Sequence, residues 1–251
     1  MDESRDTIGR ASVNGITLAH QSFGDPGDVP ILLVMGLGTQ MLGWPDEVCA
    51  LLAAAGHHVT RFDNRDVGLS MGGCISQVLT LEHPHRVRSL TSMSSTTGSR
   101  RVGRPRLDIA RRMVTQKPAA TRAEVIELAL TNWRQTGSPG YPFDEHRQRR
   151  RAALSYDRCY DPAGGARQFA ALLAAPDRTA ALAGVGVPTL VVHGEADPLI
   201  GVSGGRATAA AVPGARLVTF PGMGHDLPEA LWPEFVAQIG RTVAQGEADR
   251  S

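Results

Sequence analysis

The spacing of apolar and polar residues along this chain changes several times, and each change marks an element. Residues 10–14 and 16–23, joined at Gly15, read as an antiparallel hairpin. The unbroken apolar run Ile31, Leu32, Leu33, Val34, Met35 predicts a strand buried on both faces. A helix is expected over residues 45–55, stopping at Gly56, and a strand over 58–62. Residues 63–69 are polar and loop-like. Residues 71–82 carry Ile75, Val78 and Leu79 at helical spacing, and Pro84 ends that helix. A strand over 87–93 follows.

From residue 99 to about 175 the texture becomes periodic Arg/Ala/Leu, broken at Pro118, at Gly137-Ser138-Pro139-Gly140 and at Pro162. This predicts a helical insertion covering the carboxyl edge of the sheet as a lid. Strand 188–193, helix 201–212, strand 215–220 and an amphipathic helix over 229–243 then resume the alternation. Strands alternating with helices imply an α/β fold with a mostly parallel sheet and helices on both faces. The expected division is residues 1–98 and 176–251 as the two parts of one core, with 99–175 as the inserted lid.

Length changes little: 251 residues suit one α/β domain with an insertion. Aromatics are sparse at 5%, so the core must be aliphatic. A net charge of +1 gives no pull towards nucleic acid or an anionic membrane. Arg100, Arg101, Arg104 and Arg106, and later Arg147, Arg149, Arg150 and Arg151, read as solvated helix faces. Lys117 is the only lysine, which argues against a P-loop or Schiff-base lysine. Cys49, Cys74 and Cys159 form no Cys-x-x-Cys pair, so no zinc site is expected. The polar start has no signal-peptide core, and no apolar run approaches membrane-spanning length. A cytoplasmic protein without metal or cofactor is the expectation.

Chemistry concentrates in three places. Gly68-Leu69-Ser70-Met71-Gly72 fits Gly-x-Ser-x-Gly, in which glycines permit a cramped turn and a helix N-terminus supplies amide donors. Asp197 follows the apolar strand 188–193, and His225 follows the strand 215–220. Ligands in open α/β sheets bind beyond the carboxyl ends of strands. Three polar residues of the right types thus follow three strand-like segments in the order Ser, Asp, His.

The chain resembles the α/β-hydrolase family, and within it bacterial esterases of the aclacinomycin methylesterase type. The resemblance is carried by Val34-Met35-Gly36-Leu37-Gly38 with Gly43-Trp44-Pro45, and by Phe62 to Ser70 with Met71-Gly72-Gly73. His83-Pro84, Arg86-Val87, His193-Gly194-Glu195-Ala196-Asp197-Pro198 and Gly222-Met223-Gly224-His225 complete it. It implies that Ser70 is the nucleophile, His225 the base and Asp197 its orienter, with the backbone N–H groups of Leu37 and Met71 as the oxyanion hole. The implied substrate is a small-molecule carboxylic ester.

One departure stands out. Family members carry two separate serine motifs, the loop Asp-x-Arg-x-x-Gly-x-Ser and the elbow Gly-x-Ser-x-Gly, with a helix and the central strand between them. Here they are fused on Ser70, so the sheet is expected to be one strand short, with 87–93 taking the empty place beside 31–35. Low activity follows as an expectation. A binding protein of the same fold is the rival reading. A dinucleotide-binding oxidoreductase is a weaker rival, because Gly36-Leu37-Gly38-Thr39-Gln40-Met41 lacks the third glycine.

Overall fold

A computed structural model describes residues 8–36, 39–64, 72–117 and 119–249. The chain falls into two compact units, Met1–Gly72 with Ala163–Ala174, and Gly73–Pro162 with Ala175–Ser251.

The first unit holds β1 (Gly9–Val13), β2 (Ile16–Phe23), β3 (Val29–Leu33), α1 (Asp46–Ala54) and β4 (His57–Phe62). Val13 faces Ile16 across a two-residue turn in which Asn14 and Gly15 both have positive φ, 50° and 76°. That is the turn whose twist matches a hairpin, and Asn-Gly is its preferred sequence. β2 runs antiparallel to β4, and β3 parallel to β4, in the order β1-β2-β4-β3. Acidic Asp46 and Glu47 sit in the first turn of α1, where the helix dipole favours them. Arg61 is buried in β4 and bonds the Gln21 side chain, the Trp44 carbonyl and Asp46, tying the start of α1 to the sheet.

The second unit carries α2 (Gly72–Glu82) from Gly73 onward, β5 (Leu90–Met93), β6 (Thr189–Gly194), α7 (Ser203–Ala211), β7 (Arg216–Phe220) and α8 (Trp232–Ala248). Between β5 and β6 lie α3 (Leu107–Thr115), α4 (Arg122–Thr136), α5 (Glu145–Arg158) and α6 (Pro162–Ala174), whose residues from Ala163 onward belong to the first unit. β6 is parallel to both neighbours and buried along its whole length, as a central parallel strand must be. Thr121 and Glu124 cap α4 reciprocally. α4 and α5 pack together through Ile126, Leu130 and Ala152. α8 closes the core by setting Phe235 edge-on against Phe220 of β7, with ring centroids 5.3 Å apart. Phe235 is 2% exposed, so Phe235→Ala is expected to cost about 3–5 kcal/mol in chemical denaturation by leaving a cavity. A loss below about 1 kcal/mol would mean that α8 is not part of the core.

Strands alternating with helices are as the sequence predicts, but the strands depart from expectation in two ways. Among the described residues the hydrogen-bonded strands form two ladders, β1-β2-β4-β3 in the first unit and β5-β6-β7 in the second, so the expected pairing of 87–93 with 31–35 is not among them. Only nine residues, 63–71, separate β4 from α2. The run at 31–35 is also not covered on both faces. Its strand is Val29–Leu33, and Leu32 is 53% exposed, because α1 packs chiefly on β4. Among the described residues no helix is long and apolar enough to cross a membrane.

Candidate active site

The buried strand β6 delivers a tight turn at its carboxyl end. There the Glu195 N–H donates to the Phe220 carbonyl at 3.1 Å and the Ala196 N–H to the Met223 carbonyl at 2.9 Å. These bonds knit the turn after β6 to the turn after β7. Asp197 emerges from the first turn and His225 from the second, and their side chains meet beyond the strand ends.

The Asp197 carboxylate is fixed before it reaches the histidine. Its Oδ1 accepts from the Leu199 and Ile200 N–H groups, both at 2.9 Å. Its Oδ2 lies 2.7 Å from His225 Nδ1. A carboxylate can only accept, so Nδ1 carries the proton, and Nε2 is left as the basic nitrogen. Burial pulls the imidazole of His225 down, but the charge and hydrogen bond of Asp197 and the charge of Asp226 outweigh it, so the group lies above its ordinary value. A second imidazole, His193, is fully buried and donates from Nε2 to the Ile200 carbonyl at 2.8 Å. Burial depresses its pKa, which keeps it neutral beside Asp197.

In the first unit the segments after β3 and β4 are tied together. The Asn64 amide donates to the Met35 carbonyl at 2.6 Å, and the Met41 N–H to Asp63 Oδ1 at 2.8 Å. Gly72, the last glycine of Gly-x-Ser-x-Gly, has no room for a side chain: a Cβ there would lie 2.4 Å from the Val34 carbonyl oxygen. The glycine therefore lets the start of α2 touch the backbone that follows β3. Ser70, Met71 and Leu37 lie outside the described residues.

Sequence reasoning missed a third contributor. The Gly137-Ser138-Pro139-Gly140 break between α4 and α5 registers in the sequence only as an interruption, yet it lies on the histidine loop. The His225 N–H donates to the Thr136 carbonyl at 2.7 Å, and the Gly224 N–H to Ser138 Oγ at 2.8 Å. No signal short of the fold would have paired these segments. Among the described residues no cluster of His, Cys, Asp and Glu comes together as a metal site.

A mostly parallel α/β sheet with a carboxylate–histidine pair beyond its strand ends defines an α/β hydrolase. Residues 66–229 match the family described as "Serine aminopeptidase, S33". The chain is 31% identical to the rhodomycin D methylesterase DauP of Streptomyces sp. (strain C5), covering 89% of this chain and 94% of that protein. It is 30% identical to the rhodomycin D methylesterase DnrP of Streptomyces peucetius, with 89% and 94% covered. In structure it is similar to the esterase RhEst1 from Rhodococcus sp. ECU1013, with a TM-score of 0.74 at 19% identity over 94% of this chain and 97% of the other. The chain belongs to the α/β-hydrolase family, and its class is that of the carboxylic ester hydrolases.

The alignment with DauP spans 288 residues, more than the 251 of the whole chain, so the relative has positions without a counterpart here. That accords with a lost segment.

Proposed function

We propose that the protein hydrolyses a carboxylic ester through an acyl-enzyme on Ser70, with a methyl ester as the preferred substrate. The observation that carries the reading is the 2.7 Å contact from His225 Nδ1 to an Asp197 carboxylate already held by two backbone amides. The rhodomycin D methylesterases support the choice of a methyl ester. In this scheme His225 Nε2 takes the Ser70 hydroxyl proton as the oxygen attacks the ester carbonyl. The resulting oxyanion accepts hydrogen bonds from the Leu37 and Met71 N–H groups. His225 then gives its proton to the departing alcohol, and water releases the acid by the same steps in reverse.

The insertion from 99 to 175 serves as a lid that excludes water and shapes the acyl pocket. Its contacts with the loop after β7 support that role. A cytoplasmic location fits the free cysteines Cys49, Cys74 and Cys159. A fluorophosphonate probe is expected to label Ser70 and to lose that label in Ser70→Ala. Labelling that persists unchanged in Ser70→Ala would overturn the assignment. The short stretch between β4 and α2 favours a second reading, a binding protein of the same fold without turnover. Binding of a methyl ester with no acid released, by wild type and Ser70→Ala alike, would select it.

A further inference from the structure

We propose that Ser138 and Asp226 act together as positioning residues for His225, so that the turn between α4 and α5 is the template on which the base is held. The inference rests on the reading of His225 as the base. Asp197 fixes only the imidazole, through Nδ1. The backbone that carries it is fixed largely by the insertion. The Gly140 N–H donates to the Gly222 carbonyl at 2.9 Å, the Gly224 N–H to Ser138 Oγ at 2.8 Å and the His225 N–H to the Thr136 carbonyl at 2.7 Å. Every step of the histidine loop from Gly222 to His225, apart from Met223, is thus hydrogen-bonded to residues 136–140.

Ser138 uses both capacities of its hydroxyl. It accepts from Gly224 and donates to the Asp226 carboxylate, spanning the histidine from one side to the other. The fit is close: a Cβ on Gly224 would lie 2.1 Å from the Gly137 carbonyl oxygen. A threonine keeps both hydrogen bonds of Ser138, and an alanine loses both.

Asp226 adds a charge to this geometry. Four titratable or charged groups bear on the base: Asp197 from the turn after β6, His193 from β6, Asp226 from its own loop, and Arg151 of α5 acting on Asp226. Burial holds the Asp226 carboxyl above its ordinary value, and the Ser138 hydrogen bonds, His225 and Arg151 offset that only in part. In its ionised form Asp226 places a second negative charge near the imidazolium that forms when the base takes its proton.

The test reads His225 directly. Its imidazole is titrated by NMR in full-length protein labelled at histidine, with His225→Gln for assignment, in wild type, Asp226→Asn, Ser138→Ala and Ser138→Thr. Amide exchange over 222–226 and kcat/KM are measured on the same samples. Asp226→Asn keeps the acceptor for Ser138 and removes the charge. It is expected to lower the His225 midpoint by about half a pH unit or more, carrying the acidic limb of activity to lower pH. Ser138→Ala is expected to speed exchange at Gly224 and His225 by about 10-fold and to lower kcat by a similar factor with KM unchanged. Ser138→Thr is expected to restore both. An unmoved His225 midpoint in Asp226→Asn, or exchange unmoved in a folded Ser138→Ala, would reduce the contact to packing and overturn the proposal. Because titration and exchange need no turnover, a failure of the esterase reading would show separately, as absent Ser70 labelling beside an intact midpoint shift.

Discussion

Asp197→Asn is expected to lower turnover about 10,000-fold while leaving the melting temperature nearly unchanged. The two expectations come from the two oxygens of one carboxylate. Oδ1 accepts from the Leu199 and Ile200 amides, and an asparagine oxygen does the same in the same place. The side chain therefore keeps its rotamer, and the turn after β6 keeps its shape. Oδ2 is replaced by an NH2 group, a donor, 2.7 Å from His225 Nδ1. Nδ1 must then become the acceptor, which moves the ring proton to Nε2, the nitrogen that should receive the serine proton. The enzyme is left with its geometry and the wrong tautomer. Asp197→Ala should do more structural harm, because the two amides lose their acceptor. Esterase assays and thermal melts on the two variants separate these effects. Equal turnover in Asp197→Asn and wild type would show that His225 is not the base.

The sequence made the elements legible where burial is uniform along them. β6 reads as an apolar run and is buried at every position. Asn14-Gly15 announces its turn by backbone preference alone. Asp197 and His225 stand out in the sequence because each follows a strand-like run, and the two side chains are hydrogen-bonded in the structure. Two things were not legible. The division into two ladders depends on which strand edges meet, and hydrophobic pattern speaks only for faces. The contact of residues 136–140 with the histidine loop joins positions more than 80 apart through backbone groups, which every residue carries alike. Ser138 therefore looks like any other turn serine until the fold places it on Gly224 and Asp226.

Turnover itself is expected to fall several decades below that of the rhodomycin D methylesterases, and the deficit should lie in kcat. The reason is the support of the nucleophile. In a complete elbow the serine ends a buried strand with neighbours on both sides. Here only residues 63–71 lie between β4 and α2, and the sequence Asn64, Arg65, Asp66 is unfit for a central parallel strand. The loop is anchored at its start by Asp63 and Asn64 and at its end by Gly72 against the Val34 carbonyl. Those anchors lie at its two ends. A displacement of about 1 Å at a reacting atom costs on the order of 100-fold. Loss of one oxyanion donor, here the Met71 N–H carried by the same loop, costs roughly another 100- to 1,000-fold. KM is expected to stay within the ordinary range. The comparison is steady-state hydrolysis of one methyl ester by this protein and by DauP, with Ser70→Ala as the baseline. A kcat within about 10-fold of DauP would mean that the two anchors hold Ser70 as well as a strand does.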